Sequence, residues 1–468
     1  MKVTLASIAP SSAAVSAGCP SLTPELLAST AARYSRNDEG LDAILALLDR
    51  SDPEKSIDAI FRMVDYGHAS IGDMAPAAMF IDGISVWLAY HLWSRLPRAS
   101  GQETSTRYVR FDDSGMVSAE DAGVPEALRG EWRSFLRDSI SRYESVAAFW
   151  EEAARREPEL MGLPSELLAA ASAAPDGKDA LRLARMRRNF AFDRARYWIP
   201  GAALTNVMLV MGARDWVALI QDLLSSSVPE AKRLGATLAD RLSLVTPRLT
   251  RHAIECADRV AGHLSSLSAD SALARRLGSP SVTDVPTISV SVDEAVLLPS
   301  GSLSEDLGHH PHRYSWVGRE AERVQVRYAV SHVAFAELRD LNRHRTGYKF
   351  APFVPVGFYG AGDEVRRLVP SSSEALSEHL EAGLSAAIRQ RGLAEAGLSF
   401  HPYFSLLGTQ VPFEHGTTLD KLRYEIELRT GTGAHYRYAS HLRAVHDALV
   451  ARLPALAGRV LLGSAEPE

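Results

Sequence analysis

The sequence predicts an α+β fold laid down twice along one chain, in residues 1–270 and 285–468. Three observations carry that expectation. Helical spacing dominates the first 270 residues, a period-two stretch follows a Ser- and Pro-rich passage, and the second half then repeats the order of the first.

Leu41-Ile44-Leu47-Leu48, Ile57-Ile60-Phe61-Val64 and the segment Pro229 to Val260 place apolar residues three and four apart, the spacing of one helix face. Ser265 to Pro286 has no sustained apolar face and reads as a linker. Thr287 to Val292 then alternates polar and apolar, as a half-buried strand does. The run Ile84–Arg95 has a counterpart in Ala329–Arg343, each ending in arginine, although identity between them is low. Order and pattern therefore indicate a diverged duplication.

With 468 residues, the chain is long enough for two to four compact units. Its 51 basic and 57 acidic residues leave a formal charge of −6, which argues against a long nucleic acid held by a globally positive surface, while a local basic pocket for a small phosphate-bearing ligand stays open. Cys19 and Cys256 are too few for a disulfide framework or a four-cysteine zinc site, and a reducing cytoplasm is expected. Pro10 and several serines interrupt any signal-peptide core, and Ala75–Trp93 contains Asp82, Ser85 and His91, so neither a leader nor a membrane span is expected.

Two constellations could carry chemistry. In an extended Ser100–Val109, Glu103, Ser105 and Arg107 share a face: an acceptor, a hydroxyl and a guanidinium that can bind a nucleotide, although spacing alone favours a solvated strand face. Arg343-His344-Arg345, with Tyr348 and Lys349 beyond, could surround an anion, or cap a helix ending before Gly347. His309-His310-Pro311-His312 lacks a fourth spaced metal ligand and reads as a surface loop. Trp87 and Trp93 are expected in the core, and His435 carries no assigned role.

Tyr66-Gly67-His68-Ala69-Ser70-Ile71, Gly83-Ile84-Ser85 and Ala99-Ser100 through Tyr108 resemble the flavin-dependent thymidylate synthases. That family's pattern runs Gly-His-x-Ser/Thr, an Arg-His-Arg triplet, Ala-Ser and Glu-x-Ser-x-Arg-Tyr. Ala32-Arg33-Tyr34-Ser35, Ala195-Arg196-Tyr197-Trp198-Ile199-Pro200 and Ala213-Arg214 extend the likeness over residues 30–225. The departures are complementary. Where the family has its triplet, the first half has Arg95-Leu96-Pro97; the second half keeps Arg343-His344-Arg345 but has no Glu-x-Ser-x-Arg after it. Arg196 lies in the first half, and the later Leu428-Arg429 in the second.

The resemblance implies two thymidylate-synthase-like domains, helices packed on a small mixed sheet, forming a pseudo-dimer with one composite site, and a homodimer imitating a tetramer. It implies transfer of a methylene to carbon 5 of a uridine nucleotide, with FAD as cofactor and NADPH and methylenetetrahydrofolate as co-substrates. Ser105, Arg95 and Arg343 are then the catalytic candidates; Glu103, Ser105, Arg107, Arg196 and Arg429 the substrate ligands; Ser35, His68, Ser70, Arg214, Arg343, His344 and Arg345 the flavin ligands. No metal is expected. The alternatives are a flavoenzyme of the same fold acting on another small molecule, and a non-catalytic ligand-binding or scaffold homologue.

Overall fold

A computed structural model describes residues 1–36, 40–47, 53–62, 69–96, 99–107, 110–112, 115–282, 284–293, 303–308, 310–372, 374–431 and 433–463. Tyr66, Gly67, His68, Pro97, Tyr108, Val109 and His309 lie outside the described residues. The chain divides into two compact units: unit 1 comprises Met1–Thr104, Gly115–Glu126 and Ala203–Ser266, and unit 2 comprises Ser105–Ser114, Ala127–Ala202 and Leu267–Glu468. Two segments from the first half of the sequence thus belong to unit 2.

Each unit is built on one antiparallel sheet. In unit 1 the strands β1 (Lys2–Ala6), β2 (Pro76–Ser85), β3 (Ser100–Glu103) and β4 (Leu204–Gly212) stand in the order β1-β2-β4-β3. In unit 2 the strands β5 (Ile288–Asp293), β6 (Gln325–Ala334), β7 (Tyr348–Phe350), β8 (Gly357–Phe358) and β9 (Thr409–Thr418) give the order β5-β6-β9-β7, with β8 beside β9. The second strand carries a register shift near its end in both, between Asp82 and Ile84 and between Val330 and Val333. A helix follows it directly, Val86–Arg95 or Phe335–Leu341, and another follows the last long strand, Ala213–Leu224 or Leu419–Arg429. The two sheets thus share an order of strands and following helices.

The α+β expectation holds, with one correction: every pair of neighbouring strands is antiparallel, so the sheets are not mixed. Strand alternation is plain in β4, where Thr205, Val207, Leu209 and Met211 are buried and their neighbours are not. Trp216, Leu219, Ile220 and Leu223 line the buried face of the following helix, and Trp87 and Trp93 are buried as expected. In unit 2 the long helix Arg129–Arg156 packs on Lys178–Ala195 through Tyr143 against Phe192 and Trp150 against Phe190.

Three local expectations are corrected. The stretch read as a linker is helical through Arg276, within Ala257–Arg276: Asp258 opens the helix, Arg275 and Arg276 close it in accord with the helix dipole, and Ser266 returns its hydroxyl to the Gly262 carbonyl. The extended segment from Ser100 ends at Glu103, and a turn follows in which the Arg107 amide donates to Ser105 Oγ at 3.2 Å, so Glu103, Ser105 and Arg107 do not share a strand face. The triplet is not the end of a helix, because Phe335–Leu341 stops before it; Gly347, at φ +62°, instead turns the chain into β7, where a Cβ would meet the Gly416 carbonyl oxygen.

Candidate functional site

In unit 2 the helix Lys178–Ala195 runs into a 3₁₀ turn, Arg196–Trp198, which sets Asp193 and Arg196 three residues apart. On the helix Phe335–Leu341, Glu337 and Asp340 are also three apart and so share a face. Arg196 meets both: its Nη2 donates to Glu337 at 3.3 Å and its Nη1 to Asp340 at 3.2 Å. Tyr197 donates its hydroxyl to the same Glu337 oxygen at 2.7 Å. Arg196 is 1% exposed and Glu337 0%, so this is a dry ion cluster that persists only because its charges are matched.

Arg107 grips Asp193 with two nitrogens, at 2.7 and 2.9 Å, and donates a third hydrogen bond to the Gly433 carbonyl at 3.1 Å. Burial pushes the Asp340 carboxyl up, but the summed field of Arg196, Arg343, Arg429 and Arg107 outweighs it and takes Asp340 down to about 2. Two of these guanidiniums come from the first half of the sequence and two from the second; one carboxylate feels all four. Burial also raises Glu337, which Arg196 only partly offsets.

The middle of the triplet lies beside this cluster. His344 is buried, and its Nε2 accepts a hydrogen bond from Arg429 Nε at 2.9 Å, which leaves the ring proton on Nδ1. Burial, chiefly, lowers His344 to about 3, so it is neutral at physiological pH. Lys349 donates to the His344 carbonyl, and Arg429 stands over the Tyr438 ring at 5.5 Å. Behind them Glu425 pairs with His415 at 3.1 Å and accepts from Tyr328 at 3.2 Å; burial raises it, but His344, His415 and Lys349 bring it to about 2. Arg343 is half-buried and Arg345 exposed.

A cavity of about 850 Å³ in unit 2 starts one residue beyond the triplet, lined by Thr346, Gly347, Tyr348, Gly416, Arg327 and Lys421 among others. Its size is that of a site for a large organic ligand. Its charged lining is mixed, Arg327 and Lys421 with Asp293, and Arg327, Lys421 and the hydroxyls of Thr346, Thr417 and Thr418 are the groups that would meet the phosphates of a flavin dinucleotide.

The remaining candidates belong to unit 1. Ser35 is exposed just past the helix Pro24–Tyr34, Ser70 is exposed in the turn Ala69–Met74, and Arg214 pairs with Asp73 at 3.2 Å at the start of Ala213–Leu224. One apolar cluster, including Ala28, Ala32, Ile71, Ala75 and Ala213, joins the elements carrying these three residues. Glu103 ends β3. Arg95, half exposed, lies 3.8 Å from Asp222, which also takes His91 at 3.2 Å and His263 at 3.3 Å and has Arg259 at 3.9 Å.

Sequence reasoning missed Asp193, Glu337, Asp340, Glu425 and His415. The first three carried a usable signal, an acid three residues from a candidate arginine or three from another acid on one helix. His435 is fully buried, its Nδ1 accepting from the Arg437 amide at 3.2 Å and its Nε2 bonded to the Asp193 carbonyl at 3.1 Å. Of the histidine run, His310 is buried against Glu427 at 2.9 Å, and among the described residues no group of His, Cys, Asp and Glu could hold a metal ion. Among the described residues no helix is long and apolar enough to cross a membrane.

Residues 21–247 match the sequence profile of a family described as thymidylate synthase complementing protein. The UPF0159 protein Ta1429 of Thermoplasma acidophilum is 22% identical over 472 residues, covering 89% of this chain and 92% of its own length. A UPF0159 protein of Chlamydia pneumoniae is 26% identical over 212 residues, 43% of this chain and 36% of its own. Among solved structures, the UMP/dUMP methylase PolB from Streptomyces cacaoi, bound with 5-Br dUMP, is 13% identical, covering 54% of this chain and 93% of its own with a TM-score of 0.32. The flavin-dependent thymidylate synthase ThyX from Helicobacter pylori, complexed with FAD and dUMP, is 20% identical, covering 51% of this chain and 98% of its own with a TM-score of 0.29.

Proposed function

From the match of residues 21–247 to the thymidylate synthase complementing protein family, we propose that the chain is a methyltransferase acting at carbon 5 of a uridine nucleotide, built as a tandem duplication with halves 1–270 and 285–468. The observation that supports it most is the gathering of Arg107 and Arg196 with Arg343 and Arg429 around Asp340 in one unit. Each half of the sequence keeps part of the motif set; Ser105, Arg107 and Arg196 belong to unit 2 with Arg343, His344, Arg345 and Arg429, while Glu103 belongs to unit 1. Independent decay of two copies gives no reason for that sorting.

In this reading Arg107, Arg196 and Arg429 bind the ligand's phosphate and base, Ser105 offers its hydroxyl beside the ring, and Arg343 stabilises negative charge developing on the pyrimidine. Arg343, His344 and Arg345 hold the flavin, with the adjoining cavity for its bulk. Reduced FAD, recharged by NADPH, supplies the reducing equivalents, and methylenetetrahydrofolate the carbon. The protein's own share is electrostatic: Glu337 and Asp340 fix Arg196, and a neutral His344 fixes Arg429, so the cations need no reorganisation when charge develops. The chain is expected to act as a homodimer in the cytoplasm.

Purified protein should be yellow, bleach with NADPH, and release tritium from carbon-5-labelled deoxyuridine monophosphate. A colourless protein that binds no flavin sinks the flavoenzyme reading. A yellow protein that releases no tritium from either the deoxyribose or the ribose nucleotide moves the activity to another small molecule.

A further inference from the structure

Three helices of unit 1 line a smaller cavity, of about 360 Å³, and each brings a charge to it: Arg95 ends Val86–Arg95, Asp222 lies on Ala213–Leu224 and Arg259 on Ala257–Arg276. Asp222 is the buried member, and histidines already take its oxygens. His91 Nε2 reaches Oδ2 at 3.2 Å, and His263 Nε2 reaches Oδ1 at 3.3 Å. The guanidiniums stop at 3.8 and 3.9 Å, in range of attraction but beyond hydrogen bonding. Among the described residues neither donates a hydrogen bond elsewhere, and their side chains are 47% and 35% exposed.

Arg95 approaches Asp222 at Oδ2 through Nε, and Arg259 approaches Oδ1 through Nη1. The two guanidiniums therefore flank one carboxylate that does not use their hydrogens, and their N–H groups are left to a ligand. Phosphate or carboxylate oxygens would take those donors in charge-assisted bonds. Repulsion from Asp222 is met by the same two cations, while Asp215, which also lines the cavity, has a partner of its own. Leu96, Ala99 and Leu219, all buried, supply an apolar wall that suits a compact carbon body rather than a bare ion.

We propose that this cavity is a second binding site, in unit 1, for a small organic oxyanion. Arg95 and Arg259 clamp its phosphate or carboxylate, and Asp222, fixed by His91 and His263, holds the clamp in place. The site is independent of the uracil reading of unit 2, and its ligand binds without any covalent change.

The test is arginine modification of the full chain with phenylglyoxal, mapped residue by residue by peptide mass spectrometry, with phenyl phosphate, benzoate, inorganic phosphate and acetate as probes. Phenyl phosphate or benzoate should slow Arg95 and Arg259 together by about tenfold or more, and the more effective of the two tells a phosphate site from a carboxylate site. Arg155, 61% exposed in unit 2, should be slowed less than about twofold. Inorganic phosphate and acetate, which forgo the apolar wall, should need about tenfold higher concentrations. Equal concentrations identify an adventitious ion only and overturn the proposal, as does protection no greater at Arg95 and Arg259 than at Arg155. In Arg259→Ala the organic probes should no longer protect Arg95; protection that persists shows that the two arginines share no ligand, and it overturns the proposal too. Should that variant fail to fold, the wild-type pattern decides alone.

Discussion

The two units put different polar side chains at the same place in the same topology. Counting from the end of the second strand, the sixth helical residue is His91 in unit 1 and Asp340 in unit 2. Across from it, the helix after the last long strand carries Asp222 in unit 1 and Arg429 in unit 2. Each unit sets a carboxylate among basic side chains, on the helix after the last long strand in unit 1 and on the helix after the second strand in unit 2. In unit 1 Asp222 has two histidines and two partly exposed arginines around it; in unit 2 Asp340 has four arginines, one of them fully buried. The same topological position therefore holds a polar node in both units while its chemistry differs.

The largest expected effect tests how deeply unit 2 depends on that node. Arg196→Ala leaves Glu337 and Asp340 buried without their common partner, and breaking a buried pair in this way costs about 3–5 kcal/mol. Urea unfolding followed by tryptophan fluorescence measures it. A loss below about 1 kcal/mol would mean that the two carboxylates find other partners, and that the node is less specific than its geometry indicates.

Next in size is the functional asymmetry. On the proposed reading, in which Arg343 stabilises charge on the pyrimidine, Arg343→Ala should lower turnover by about 100-fold or more. Tritium release under saturating flavin reads this directly. An unchanged rate would detach the triplet from the reaction and favour the scaffold alternative.

The third difference is one of pH. Burial holds His344 and His401 at about 3, well below the ordinary histidine value of about 6.5. The unfolded chain therefore takes up protons that the fold refuses as pH falls from about 6.5 toward 3. Stability is full above that range and declines through it, by up to about 2 kcal/mol for each histidine between pH 6.5 and 5. Asp340 and Glu425, depressed to about 2, add losses of the same sign only below about pH 4.5. Urea midpoints at pH 7 and pH 5 should differ, and His401→Gln should narrow the gap. Equal midpoints would show that these rings protonate in place.

Much of this was legible in the sequence, and for definite reasons. The period-two run before Val292 marked the start of the second sheet, because alternation has one structural meaning over six residues. Arg107, Arg196, Arg343 and Arg429 were legible because a cation at a motif position announces itself. Asp193 and Asp340 were not, since an acid on a helix is usually solvated, and only the chain's path brings them under those arginines. The helix through Ser265–Arg276 was hidden by its serines, which read as loop formers; Ser266 instead bonds back to the Gly262 carbonyl and Ser271 to the Glu395 carbonyl.

The smallest effect is the sharpest control on the comparison. Arg95 occupies the first position of the degenerate triplet, but its side chain is 47% exposed and its nearest approach to Asp222 is 3.8 Å. Asp222 retains His91 and His263 at hydrogen-bonding distance without it. An exposed, loosely placed pair contributes little, because solvent screens the charges and ordering two long side chains opposes the gain. Arg95→Ala should therefore cost less than about 1 kcal/mol in urea unfolding, against several for Arg196→Ala under the same conditions. A cost comparable to that of Arg196→Ala would mean that unit 1 leans on its remnant arginine as unit 2 leans on its buried one. The exchange of His91 and Asp222 for Asp340 and Arg429 would then be a difference of residues without a difference of role.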